Sequence, residues 1–179
     1  LVERAASMGV QVLALTDHDE LGGLNEARAV AEEVGIRLVQ GVEISITWAG
    51  HTIHIVGLNV DSDDPILAQG LARNRGGRAE RARRMAEELA RLGIPGALEG
   101  AYRFAGNQDL IGRTHFARFL VERGVVKDVK TVFRKFLVKG KPGYVPHQWA
   151  SLEEALVWIR AAGGQAVVAH PGRYQMGRE

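Results

Sequence analysis

Residues 10–15 are a short aliphatic and β-branched run behind Gly9, and such a run reads as a buried strand. It stops at Thr16-Asp17-His18-Asp19, passes Gly22-Gly23, and gives way to apolar residues at Leu24, Ala27, Val30, Ala31 and Val34, which is helical spacing. Strand, polar tip, glycines and helix in that order make a βα unit. Ligands and catalytic groups of α/β proteins collect at the C-terminal ends of strands. A His between two carboxylates at such a tip suits a metal ligand whose ring a neighbouring carboxylate orients. The same four residues also suit a loop in which an Asp caps the following helix and the His is incidental. The stretch by itself leaves both readings open.

The 179 residues suffice for one domain, or one domain with an insertion. Cysteine is absent, which excludes a disulfide framework and a thiolate metal site and fits a reducing, cytoplasmic compartment. No run approaches membrane-spanning length and no signal peptide is visible, so no membrane partner is expected, nor is a protein partner. Net charge is only +2, so the distribution of charge matters more than its sum. Both ends read as internal to a longer chain. Residues 1–6 begin in mid-helix without Met or cap, and Gly177-Arg178-Glu179 stops soon after a strand tip.

Further strands are expected at 36–39, 42–47 and 52–58, with a break at Gln40-Gly41 and a turn at Trp48-Ala49-Gly50. From 61 the character changes. Residues 66–137 carry helical patterns and no convincing strand, most strongly over 78–92, and Gly140-Lys141-Pro142-Gly143 closes the segment. Ser151 and Glu154 form a capping-box pattern at the start of another helix. That helix leads through Gly163-Gly164 to a strand at 165–169 that ends on His170-Pro171-Gly172. The organisation expected is an α/β part over 1–60, a helical insertion over 61–146, and a return to the α/β part over 147–179.

Asp17, His18, Asp19, Glu43, His51, His54 and His170 all fall at or near strand ends, and N and O donors of this kind suit Zn, Mn, Fe or Mg. Glu43 lies opposite in phase to Val42 and Ile44; it is either paired or metal-bound inside, or exposed on an edge strand. His51 and His54 are three apart, so a strand presents them on opposite faces; His54 is favoured as ligand and His51 as surface. His54 also fits a satisfied core histidine, while His170 repeats the strand-tip placement of His18. A second concentration is basic: six of the twelve residues 73–84 are Arg. Arg78 and Arg81 share a helical face near the expected helix start. Arg113 and Thr114 open another helix, a setting suited to phosphate. The competing reading is a solvated helix face paired with Glu80, Glu87 and Glu88.

Thr16-Asp17-His18-Asp19, Gly41-Val42-Glu43, His54 and Ala169-His170-Pro171-Gly172 together resemble the PHP family, the polymerase and histidinol phosphatase superfamily. Residues 112–118 and 140–145 narrow the resemblance to its bacterial branch of nucleotide phosphatases and 5′→3′ exoribonucleases. The resemblance implies an α/β fold, a distorted seven-stranded (β/α) barrel with a helical insertion, incomplete over these residues. It implies that His18, Glu43, His54 and His170 ligate a divalent metal cluster of two or three ions, manganese by preference. Glu43 would bridge two ions, and Glu43 and His18 would be catalytic. Arg78, Arg81, Arg113 and Thr114 would hold substrate phosphate or nucleoside. The activity implied is hydrolysis of a nucleoside 3′,5′-bisphosphate to the 5′-monophosphate and phosphate, with stepwise cleavage of short RNA from its 5′ end as the alternative. Either way the partner is a nucleotide or short oligonucleotide. The family's His-x-His and Asp-x-His motifs would lie before Leu1 and beyond Glu179, so residues 1–179 alone are not expected to be catalytically competent. A rival from another class is a non-catalytic nucleic-acid-binding module on the Arg-rich helix. Against it, residues 66–101 contain no aromatic for base stacking.

Overall fold

The computed structural model describes residues 1–174, and the Gly177-Arg178-Glu179 end lies outside the described residues. The elements are α1 (Val2–Ser7), β1 (Val12–Leu15), α2 (Leu24–Val34), β2 (Arg37–Trp48), β3 (His51–Leu58), α3 (Pro65–Arg91), α4 (Ala97–Tyr102), α5 (Arg113–Glu122), α6 (Val129–Val132), α7 (Leu152–Ala161) and β4 (Gln165–Val168). The architecture is α/β, with one four-stranded sheet among the described residues, in the order β1-β2-β3-β4. β1 and β2 are parallel, joined through α2, while β2–β3 and β3–β4 are antiparallel. No described helix is long and apolar enough to cross a membrane.

Two compact units emerge, Leu1–Asn74 with Gln148–Glu179, and Arg75–His147. In the first, Val42, Ile44, Ile46, Ile53 and Ile55 form one sheet face and pack with Leu67, Leu71, Ala155, Trp158 and Ile159 from α3 and α7. Here α3 contributes more to the sheet unit than a segment starting at 61 suggests, because its apolar stripe, Leu67 and Leu71, buries there. A smaller cluster of Val2, Ala27 and Ala31 packs with Leu13, Leu15 and Leu38. The helical unit has its own core, centred on Met85, Leu89, Phe116, Leu120 and Leu137.

Three sequence expectations need correcting. Gln40-Gly41 does not interrupt a strand: β2 runs unbroken from Arg37 to Trp48. Gly41 is there for space, since a Cβ would lie 2.8 Å from both Gly57 O and Thr16 Cγ2. The turn narrows to Ala49-Gly50, both at positive φ, as a two-residue hairpin loop demands, and His51 begins β3. Finally, Arg78 and Arg81 are not near a helix start. They lie in the interior of α3, which continues through Gly76-Gly77, so no free backbone N–H groups surround them.

Candidate metal centre

The parallel register of β1 on β2 sets His18 beside Glu43. Leu15 pairs with Gln40, and the same offset continues past the end of β1 to a bridge between His18 and Glu43. Backbone bonds lock it: Glu43 N–H donates to Asp17 O and Asp19 N–H to Glu43 O, both at 3.0 Å. The antiparallel register then places His54 opposite Ser45, diagonal to Glu43 and on its face of the sheet. Glu43, Ser45 and His54 therefore face away from the isoleucine core. β4 ends at Val168, and the chain turns at His170, whose φ of 32° is the left-handed region.

Four side chains converge as a result. Glu43 Oε1 lies 3.1 Å from His54 Nδ1 and 3.0 Å from His170 Nε2, while Glu43 Oε2 lies 3.4 Å from His18 Nε2. His54 Nδ1 and His170 Nε2 are 3.3 Å apart. The ring of His18 meets that of His54 edge-on at 4.6 Å between centroids. Glu43 sits on a central strand with its side chain only 17% exposed, not on an edge. His51 is exposed at the hairpin end and outside the cluster.

The donor set suits a divalent cation. Burial above all, reinforced by His18 and His170 and opposed by Glu43, pushes His54 down to about 4. Its contact with Glu43 is therefore between a neutral imidazole and a carboxylate rather than an ion pair. One ligand atom each from His18, Glu43 and His54 lies within 4.8 Å of the others. His170 Nδ1 is buried without a hydrogen-bond partner among the described residues, so the polar contacts of that ring run through Nε2, the atom facing Glu43.

Of the strand-tip carboxylates, Asp19 is fully buried and serves the scaffold. Its Oδ1 accepts from Ser45 N–H at 2.9 Å and Asn74 Nδ2 at 3.2 Å, and its Oδ2 accepts from Ser45 Oγ at 2.9 Å. Asn74 also donates to Ser45 O and accepts from Ala150 N–H. Sequence reasoning missed Asn74, although a signal existed: it continues the stripe Leu67, Leu71 at core spacing, where a polar residue calls for partners.

The arginines separate by face. Arg83 and Arg84 are exposed, and Arg83 pairs with Glu80 and Glu87 along α3. Arg78 and Arg81 are half-buried. Arg81 Nε donates to Val145 O at 3.1 Å, and Arg113 Nη1 reaches Leu137 O at 3.4 Å while its guanidinium lies over the Phe133 ring. Burial, then Arg113, with a smaller contribution from Arg78, lowers Arg81 to about 10 against the pull of Tyr144. Burial also lowers Arg113. Arg78 Nη1 lies 4.0 Å from the place a Cβ on Gly112 would take. Thr114 is exposed in the first turn of α5, and His115 Nδ1 accepts from Gly112 N–H at 3.0 Å to cap that helix. Burial, then Arg118 and Arg78, lowers the pKa of His115.

The chain is similar to several known proteins. The chain is 57% identical over 178 residues to a 3′,5′-nucleoside bisphosphate phosphatase of Chromobacterium violaceum, covering 99% of this chain and 62% of that protein. It is 48% identical to the 5′-3′ exoribonuclease Rnm of Escherichia coli, covering 98% of this chain and 60% of that one. The chain thus spans about three fifths of these relatives' length. Among solved structures, an amidohydrolase from Chromobacterium violaceum with sulfate bound and no metal superposes with a TM-score of 0.94 at 58% identity, covering 99% of this chain and 62% of that one. A protein from Bifidobacterium adolescentis, described as a metal-dependent phosphoesterase, gives 0.87 at 29% identity, covering 99% of this chain and 63% of that one. The PHP domain model matches residues 1–162, and the chain belongs to the PHP domain family.

Proposed function

We propose that the protein containing this chain is a metal-dependent phosphoesterase that removes phosphate from a nucleoside 3′,5′-bisphosphate, leaving the 5′-monophosphate. The observation that carries the reading is the double address of Glu43, with Oε1 toward His54 and His170 and Oε2 toward His18. A carboxylate set between separate imidazoles in this way suits a bridge in a two-ion site, and manganese fits its N and O donors. Divalent ions held there supply Lewis acidity toward phosphoryl oxygens and an acidic water at neutral pH. His18, Glu43, His54 and His170 would hold the ions. Arg78, Arg81, Arg113 and Thr114 are proposed to bind phosphate or nucleoside. Guanidinium forks match phosphate oxygens, and the carbonyls of Val145 and Leu137 anchor two of them. The four-stranded sheet is proposed to be part of a seven-stranded (β/α) barrel in the whole protein.

The 48% identity to an exoribonuclease favours a second substrate of the same chemistry, a short RNA cleaved from its 5′ end. The test uses full-length protein stripped of metal with a chelator and then supplied with Mn²⁺. Phosphate release from adenosine 3′,5′-bisphosphate should need the metal and should exceed mononucleotide release from a 5′-phosphorylated trinucleotide. The reverse preference assigns the RNA substrate. Turnover unaffected by chelation overturns the metal reading.

A further inference from the structure

We infer that Tyr174 is a positioning residue for the metal centre, joining two of its imidazoles through one side chain. The inference rests on the metal reading above. β3 and β4 pair as far as Ile55 and Val168, so His54 and Ala169 would form the next pair of the ladder. Only half of that pair forms: Ala169 N–H donates to His54 O at 2.9 Å. The backbone then departs at His170, in its left-handed conformation, and passes through the single turn Pro171–Arg173. His54 N–H donates instead to the hydroxyl of Tyr174, at 2.8 Å. The phenol oxygen occupies the role of the missing ladder carbonyl.

The other end of the same residue acts on His170. The Tyr174 ring lies 5.5 Å from the His170 imidazole between centroids, tilted by 54°. The ring is itself held, because it packs against the core that includes Ile46, Ile53 and Ile55. A rigid aromatic thus fixes the backbone of one candidate ligand and the ring plane of the next. Those two imidazoles approach within 3.3 Å of one another, and both meet the same oxygen, Glu43 Oε1. Small rotations there change the donor geometry directly, as outer partners of metal ligands commonly do.

Two variants in the full-length protein separate the functions of the hydroxyl and the ring. Tyr174→Phe keeps the ring and deletes the acceptor for His54 N–H; Tyr174→Leu deletes both. Mn²⁺ titration of metal-stripped protein by calorimetry is the primary readout, with the thermal midpoint of the metal-free protein beside it. Outer-shell losses suggest a Kd weakened about 10-fold for Tyr174→Phe and up to about 100-fold for Tyr174→Leu. The manganese electron paramagnetic resonance line shape should change in step, while the metal-free midpoint of Tyr174→Phe falls only by the few degrees that one unpaired backbone N–H costs. Wild-type Kd and line shape in Tyr174→Phe overturn the proposal, as does a loss confined to the thermal midpoint. If wild-type protein itself takes up no Mn²⁺, the metal reading fails and this inference fails with it. If wild type binds and the variants bind equally, only this inference fails. Should Tyr174→Leu not fold, Tyr174→Phe decides alone.

Discussion

The sheet unit and the helical unit concentrate opposite kinds of chemistry, and they fix their side chains differently. In the sheet unit one carboxylate, Glu43, meets three imidazoles, of which His54 is held neutral by burial. In the helical unit guanidiniums gather, and burial, then the neighbouring Arg113, lowers Arg81 to about 10. Strand register places the first set: the pairs His18–Glu43 and Ser45–His54 are consequences of which backbone groups bond. Helical facing and carbonyl anchors place the second set, which leaves long side chains more freedom. Side chains set by strand register have little room to shift, and long side chains set by helical facing have more.

The largest effect expected is in the sheet unit. Glu43→Gln in the full-length protein replaces two anionic oxygens with one amide oxygen and one amide nitrogen, which cannot bridge ions. Loss of kcat should exceed the roughly 10–100-fold typical of outer-shell changes. Steady-state kinetics at saturating Mn²⁺ and circular dichroism of the fold check it together. Activity within a few-fold of wild type would remove the bridge from the reading.

The helical unit should respond less, and selectively. Arg113→Ala and Arg81→Ala each remove a fork anchored to a backbone carbonyl, while Arg84→Ala removes a solvated side chain. A charge-assisted hydrogen bond contributes about 1.5–3 kcal/mol, or about one to two decades in kcat/KM. The anchored positions should show that loss and Arg84 should stay near wild type. Equal small effects at all three would return the run to a charged helix surface and end the contrast between the units.

A third test asks how firmly register is held. Asn74→Ala withdraws a donor from Asp19 and Ser45 O and an acceptor from Ala150 N–H, all in a buried network. Asp19 keeps its two bonds from Ser45, while Ser45 O and Ala150 N–H lose Asn74 at about 1–3 kcal/mol each, so a loss of roughly 2–6 kcal/mol is expected by urea unfolding. Because Asp19 follows His18 directly, Mn²⁺ affinity should fall as well. Unchanged stability would mean that water replaces the amide and that the network does not hold the strand tip.

How much of this was legible follows the same division. Period-two alternation exposed the facing of Glu43 and His54, because a strand has only two faces and the neighbours Val42 and Ile44 declare which is inside. His170 was legible as a repeat of a strand tip. Gly41 misled: a glycine in a strand looks like a break, yet here it answers a close approach of Thr16 and Gly57 that only tertiary structure reveals. Asp19 looked like a metal neighbour, and its use by Ser45 and Asn74 depends on a contact between residues 55 apart in sequence. Tyr174 gave no signal at all, since nothing local ties it to His54, 120 residues away.

The smallest effects concern two adjacent glycines that hid the continuity of α3. The helix start expected near Arg78 falls just after Gly76 and Gly77, and the helix passes straight through them. They are nevertheless different. A Cβ on Gly76 meets nothing within 4 Å, whereas one on Gly77 would lie 2.3 Å from His147 Cε1. Gly76→Ala should therefore raise stability by about 0.5–1 kcal/mol, the ordinary gain of alanine over glycine in a helix interior. Gly77→Ala gains the same propensity but forces the imidazole of His147 to move, at a cost of about 1–3 kcal/mol for an overpacked site, so its net effect is destabilising. Guanidinium unfolding of the two single variants, measured side by side, reads the difference in sign. If both stabilise, His147 moves aside freely and Gly77 has no packing role. If both destabilise, α3 needs backbone freedom at this point, and the unbroken helix from Pro65 to Arg91 is the part of the fold to revise.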